Sequence, residues 1–387
     1  MTSLVANNRT APPNLAHRRK QTLLALLSVA ALALVVFGIL PQFTDFREAL
    51  DAARQLPAPW IAALFVATSV AIIVYPLQWR ASLTELHYRR AFMVANTSFM
   101  ISNGLPGGGA VALPTQYAML AGDGVSRARA TAATGVTALW NVLATLLVPL
   151  VGVCFLVGNG DNSPTWWVTI VGGVIGFTTV GLLLRALMRS RTVARRLGER
   201  AERMANRLLR IVHRDRPLGW GDAVVAFRES THELLATRWA PISLSHVTIQ
   251  LTQFAILAVA LAAVQRDAAD PTSFAVALFA FGVARLGTFL PISPGGLGTV
   301  DGALAALLVS AGDATATDAL AAVLIWRTLT FLPGMAFGSA SFVVWRKRSA
   351  SRPPAGARDD QTDDRASAAD ASAEVVALDG DDGRGHP

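Results

Sequence analysis

The sequence predicts an all-α integral membrane protein of about six full transmembrane helices plus two oppositely oriented re-entrant helical hairpins, or eight spans if the hairpins are counted differently. Three observations carry this. Of 387 residues, 52% are hydrophobic and only 16% charged, and several apolar runs reach the roughly 20 residues needed to cross a bilayer. Two apolar segments, one in each half, are broken at Leu105-Pro106-Gly107-Gly108-Gly109 and at Pro291-Ile292-Ser293-Pro294-Gly295-Gly296-Leu297-Gly298. Arginine clusters flank the apolar runs, so the net charge of +8 reports topology rather than nucleic-acid binding.

A basic cytoplasmic segment, residues 1–21, leads the chain, and Arg18-Arg19-Lys20 precedes a first span at 22–41. No small-residue cleavage site is convincing before Pro41, so this span is expected to remain as an uncleaved anchor. Further spans are expected at 58–77, 130–157, 166–188, 239–264 and 319–345. The broken segments are shorter. Arms 91–105 and 110–120 give about 22 and 16 Å of helix, and arms 274–290 and 299–309 about 25 and 16 Å. None comfortably crosses a core of about 30 Å, so each pair is expected to re-enter the side it came from. Two tilted spans joined by a tight turn are the alternative.

Arg80, Arg89, Arg90, Arg127, Arg129, the stretch 189–238 and Arg346-Lys347-Arg348 are all expected in the cytoplasm. The first hairpin then enters from the cytoplasm and the second from outside, an inverted repeat with both termini cytoplasmic. Internal matches agree: Pro106-Gly107-Gly108 with Pro294-Gly295-Gly296, Gly122-Asp123 with Gly312-Asp313, and Trp140-Asn141 with Trp326-Arg327. The stretch 189–238 carries Val193, Leu197, Met204, Leu208 and Ile211 at near-helical spacing among arginines. Such a basic amphipathic segment lies on anionic lipid or docks on the protein's own helix ends. The tail, 349–387, is acidic and without aromatic residues or periodicity, and is expected to be disordered and cytoplasmic; the flanked region 22–348 is the membrane domain.

Matched breaks in two halves are the sequence mark of a transport site. Arg285, Asp301 and Arg327 fall in or near hydrocarbon, where a charge at mid-depth costs about 2.5 to 3.5 kcal/mol, so they need partners. Either the arginines grip a lipid phosphate with Asp301 orienting one of them, or Asp301 neutralises an arginine or caps its own helix. Gly107, Gly108, Gly109, Pro294, Gly295, Gly296 and Gly298 precede return helices whose N-termini favour an anion; tight hairpin packing explains them equally. Asn103, Gln116, Tyr117 and Asn141 flank the first break and are path candidates. Asn96 belongs to the same apolar surroundings, and His246, Gln250 and Gln253 share one helical face.

The chain has no phosphate loop, His-Glu-x-x-His, Gly-x-Ser-x-Gly or paired cysteines, so neither an enzyme, a cofactor nor a metal is expected. The single Cys154 excludes an intrachain disulfide.

The first motif, followed by Gly122-Asp123, then Ala284-Arg285, the second motif through Thr299-Val300-Asp301, and Leu324-Ile325-Trp326-Arg327, resembles the lysylphosphatidylglycerol synthase transmembrane-region family, also called flippase-like or UPF0104. The likeness spans about residues 22 to 346. It departs at Asp301, where many relatives have glutamate, and at Trp140-Asn141, where a Glu-Arg pair often stands. The resemblance implies a multi-pass protein of the bacterial plasma (inner) membrane that moves or handles lipid, here without the soluble synthase domain. The expected function is a lipid flippase or scramblase for anionic or aminoacylated phospholipid or a lipid-linked precursor. The alternatives are a non-transporting membrane partner of a lipid or glycan synthesis enzyme, and a small-solute transporter. Membrane phospholipid is the expected partner, with a lipid-synthesis enzyme as a second; nucleic acid is not expected.

Overall fold

The computed structural model describes residues 51–350 except 52–53, 106–107, 159–163, 211–219, 290–293 and 313. The expected span at 22–41, the N-terminal segment and the tail beyond 350 lie outside the described residues. Proline and glycine set the helix ends. Helix α1 (Ala58–Val74) follows Pro57, and Pro76 separates it from the short α2 (Leu77–Ser82). Helix α3 (Tyr88–Gly104) stops at Leu105, whose extended backbone (φ −123°, ψ 138°) is the conformation that a following proline imposes. The chain turns back through a bond from Gly108 N–H to Leu105 O at 2.9 Å into α4 (Gly108–Gly122).

Helices α5 (Arg127–Gly158) and α6 (Pro164–Arg189) follow, and Ser190 accepts from Val193 N–H to cap α7 (Arg191–Arg210). Helix α8 (Trp220–Val264) is 45 residues long and begins well before the expected start at 239. Ser273 caps α9 (Phe274–Leu286), and a 3₁₀ turn (Gly287–Phe289) carries the chain to the second break. A second short turn (Pro294–Gly296) leads into α10 (Thr299–Gly312), and Thr315 caps α11 (Ala316–Ala350). The described residues are helical, with no strand among them.

Among the described residues, four stretches are long and apolar enough to cross a membrane: Ala58–Ser82, Arg127–Gly158, Leu234–Val264 and Ala316–Ser349. Helix α6, of 26 residues, adds a shorter apolar stretch at Ile170–Thr179. The outward surfaces are those of a protein solvated by lipid: Phe65 is 72% exposed and Leu244 68%, with Ile61, Ile175, Leu251 and Leu332 also bare.

Each broken segment folds as a helical hairpin, α3 on α4 and α9 on α10. Their arms have 17, 15, 13 and 14 residues, about 25, 22, 20 and 21 Å of helix. The first return helix begins at Gly108 rather than Ala110, because glycine there lets the turn tighten against the carbonyls of Ile101 and Ser102. Arm 274–290 leaves the α-helix at Leu286, earlier than expected, since Gly287 opens the 3₁₀ turn.

Helix α8 is the post on which α1, α2, α5 and α7 pack. Its residues Ile256 and Leu257 join Leu64, Phe281, Leu304, Val323 and Trp326 in the main core. Helices α5 and α9 cross through small residues: a side chain on Gly152 would strike the backbone of Phe279, and one on Gly282 the backbone of Pro149. Helix α7 turns Ala194 and Gly198 inward and packs on α8, with Arg191 paired to Glu229 at 2.7 Å. Val193, placed by its spacing on the apolar stripe, is exposed instead, because the small residues let the helix approach on their side.

Arginine-bearing ends are tied together by Arg90 to Asp123 (3.2 Å), Arg129 to Glu85 (2.7 Å) and Arg238 Nε to Ala81 O (2.8 Å). The main unit runs to Ser341; in a second unit, from Phe342, the rings of Phe342 and Trp345 lie 5.8 Å apart.

The α5–α9 crossing gives a direct test. Gly282→Ala forces a methyl group into the backbone of Pro149 and is expected to cost about 1 to 3 kcal/mol. Thermal unfolding in detergent measures this, and an unchanged midpoint would mean that the two helices are not held this closely.

A candidate anion-binding cavity between the two breaks

The second break is built around Asp301. Left-handed backbone at Gly295 (φ 61°), Gly296 (φ 70°) and Gly298 (φ 82°) turns the chain where residues with a side chain would be strained. Asp301, in the first turn of α10, accepts the Gly298 N–H on Oδ2 at 3.0 Å, satisfying a donor that the helix leaves free. Its Oδ1 takes Arg327 Nε of α11 at 2.6 Å. Arg327 Nη2 lies 2.6 Å from the same oxygen but is not aligned for a hydrogen bond, and Nη1 reaches Gly295 O at 3.4 Å. The pair is mostly buried, with 15% and 18% of the two side chains exposed. The guanidinium lies over the rings of Trp326 and Phe331, their centres 5.0 and 5.2 Å away. Both expected roles of Asp301, helix cap and arginine partner, are therefore made by one carboxylate.

The two breaks meet. Asn103 of α3 donates to Phe99 O at 2.8 Å, and its Oδ1 sits where a side chain on Gly295 would go. Between them, α5, α8 and α11 line an open cavity of about 500 Å³. Its lining unites both halves: Asn103, Gly109, Gln116 and Asn141 from the first, Arg285, Gly295 and Arg327 from the second, with His246 and Gln253 of α8. No carboxylate is among the described residues that line it. Arg285 faces it from α9, stacked at 5.7 Å on Phe281, and its guanidinium makes no hydrogen bond or ion pair among the described residues. Buried polar atoms without a hydrogen-bond partner among the described residues gather at this wall: Arg285 Nε, Gln116 Oε1, Thr134 Oγ1, Thr137 Oγ1 and Arg327 Nη2, the last held only by its charge contact with Asp301. Such groups cost free energy unless something polar occupies the space they face.

Other residues singled out by sequence stand elsewhere. Asp301 is behind Arg327 rather than at the wall. Tyr117 turns away to Thr131 Oγ1 at 2.9 Å. Gln250 donates to Thr145 Oγ1 at 3.1 Å, and Asn96 to Phe92 O at 2.9 Å. Gly108 packs against its own hairpin, Gly296 against Val300, and Gly298 serves the cap. Pro294 opens the second turn, and Gly107 lies outside the described residues. Tyr75, Gln78, Ser102, Thr134, Thr137, Thr288 and Thr330 line the cavity without having been expected there. Tyr75 and Gln78 carry a faint signal, polar residues at the Pro76 break of an apolar run.

Asp301 can be tested apart from any ligand. Asp301→Asn leaves Arg327 without its counter-charge and weakens the α10 cap, and is expected to cost about 3 kcal/mol in thermal unfolding. Adding Arg327→Gln should recover part of that loss; a double variant as unstable as the sum of the singles would show that the two groups do not act as a pair.

The family model described as the lysylphosphatidylglycerol synthase TM region matches residues 23–338. No curated protein matches the chain. The match covers both hairpins and every residue that lines the cavity, and with the apolar helices it identifies a multi-pass membrane protein linked to lipid metabolism. The chain belongs to the lysylphosphatidylglycerol synthase transmembrane-region family.

Proposed function

We propose that the cavity binds the phosphate of an anionic phospholipid or lipid-linked precursor, and that the chain moves this lipid between leaflets as a flippase or scramblase. The observation that carries the proposal is the charge of the wall: two arginines, one without a counter-ion among the described residues, and no lining carboxylate. Guanidinium groups match phosphate geometry through paired N–H donors. A space of about 500 Å³ is of the size that small ligands fill. In this view the two hairpins re-enter from opposite sides of the bacterial plasma membrane with both termini cytoplasmic, so the cavity between their tips is opened to one face and then the other. The short arms, none longer than 17 residues, support that placement.

A hydrogen bond to a charged group contributes about 1.5 to 3 kcal/mol, so Arg285→Gln should weaken phosphatidylglycerol binding by about 10- to 100-fold. In proteoliposomes the same variant should lose leaflet exchange of fluorescent phosphatidylglycerol, while Arg196→Gln on the exposed face of α7 should keep it. Diacylglycerol, without phosphate, should not compete. Glycerophosphoglycerol, the headgroup without its chains, separates a site for lipid from one for a soluble phosphodiester. Exchange at the wild-type rate in Arg285→Gln would reject the proposal.

A further inference from the structure

His246 presents a proton count that does not fit a neutral ring. It stands on α8 at the cavity wall, 3% exposed. Both ring nitrogens face backbone carbonyls: Nδ1 lies 2.9 Å from Ile242 O, and Nε2 lies 3.2 Å from Thr137 O. A neutral imidazole has one N–H, so in either tautomer a nitrogen lone pair is turned on a carbonyl oxygen. Imidazolium donates to both. Ser245 does not relieve the conflict, since its Oγ is 2.8 Å from Ile242 O and 3.5 Å from Nδ1, and the nearer carbonyl takes its proton.

Burial opposes a second proton on the ring, and the charges around it then decide when that proton is held. On α5 the neighbouring contact is the Thr137 carbonyl, and from Ala130 to Gly158 that helix has no ionisable side chain except the exposed Cys154. Across the cavity stand Arg285 of α9 and Arg327 of α11, with Asp301 of α10 behind the latter, and Tyr75 at the end of α1. Arg238, two turns earlier on α8, is spent on Ala81 O; Arg80 of α2 is exposed, and Arg191 of α7 is paired to Glu229. The cavity wall thus adds positive charge and, among the described residues, no lining carboxylate. A third cation there is unfavourable in an empty site and favourable beside a bound anion.

We propose that His246 is a proton-binding site coupled to the anion: as the phosphate enters the cavity, the ring takes one proton from solvent onto its unprotonated nitrogen, and lipid and proton occupy the site together. This rests on the reading of the cavity as an anion site. Linkage makes the effect reciprocal, so protonation tightens anion binding by the factor by which the anion favours protonation. A proton carried with the lipid couples its movement to a proton gradient.

The test uses the full chain in detergent or nanodiscs with phosphatidylglycerol, a diester whose own charge does not change across the range. Between about pH 5.5 and 7.5, around the ordinary histidine range, the wild-type dissociation constant should rise with pH, approaching about tenfold per pH unit for one coupled proton. Calorimetry in buffers of different ionisation enthalpy should count close to one proton taken up per lipid. His246→Gln, which keeps one donor, should bind with no such slope and no uptake. Wild-type binding that is independent of pH, or an equal slope in the glutamine variant, overturns the coupling and leaves the anion site standing. No phosphatidylglycerol binding at any pH overturns both. The wild-type slope and proton count decide the matter even if the variant does not fold.

Discussion

The contact between Arg327 and Asp301 holds the second break and, through it, the cavity. One carboxylate oxygen secures the first turn of α10 at Gly298, and the other secures α11 at Arg327. A helix leaves its first N–H groups free, and away from water the protein itself must supply partners for them. Asp301 does this while drawing Arg327 beneath Gly295, and Gly295 in turn abuts Asn103 of the other hairpin. A chain of three contacts therefore fixes where the two halves meet. Arg285, without a counter-ion among the described residues, belongs to the same wall.

The halves are similar in architecture and unequal in charge. Trp140 of α5 donates to Ser243 Oγ of α8 at 2.8 Å, and Trp326 of α11 donates to Gln253 O of the same helix at 3.1 Å. Each indole anchors its helix to the central post, and the next residue, Asn141 or Arg327, lines the cavity. The two halves thus bring Asn141 and Arg327 to one site but equip it differently. The first half contributes amides and hydroxyls, the second both arginines. Such a wall suits a ligand with a charged centre and a neutral polar periphery.

Local chemistry made much of this legible in the sequence. Leu105-Pro106 announces the end of α3 because proline restricts the residue before it, and the glycine-rich stretch before Thr299 announces a turn that only glycine tolerates at three positions. Arg285, Arg327, Asn103, Gln116 and Asn141 stood out because polar groups in apolar runs need partners, and the fold brings them to one cavity. What was not legible depends on contacts between distant segments. Gln116 and Tyr117 are neighbours in sequence, yet one lines the cavity and the other bonds Thr131. Gln250 and Gln253 share a helical face, but α5 offers Thr145 to the first and leaves the second at the wall. Thr134 and Thr137 are ordinary in an apolar helix, and only the approach of both hairpins turns them into lining residues. Nor does helical periodicity say that Ala194 and Gly198, rather than Val193, face inward on α7.

The most direct measurement is an electron cryomicroscopy structure of the full chain in nanodiscs containing phosphatidylglycerol. The expected result is a lipid phosphate within hydrogen-bonding distance of both Arg285 and Arg327, with Asp301 still bound to Gly298 and Arg327. A headgroup resolved elsewhere on the protein, with the cavity holding only water, would contradict the assignment of this site.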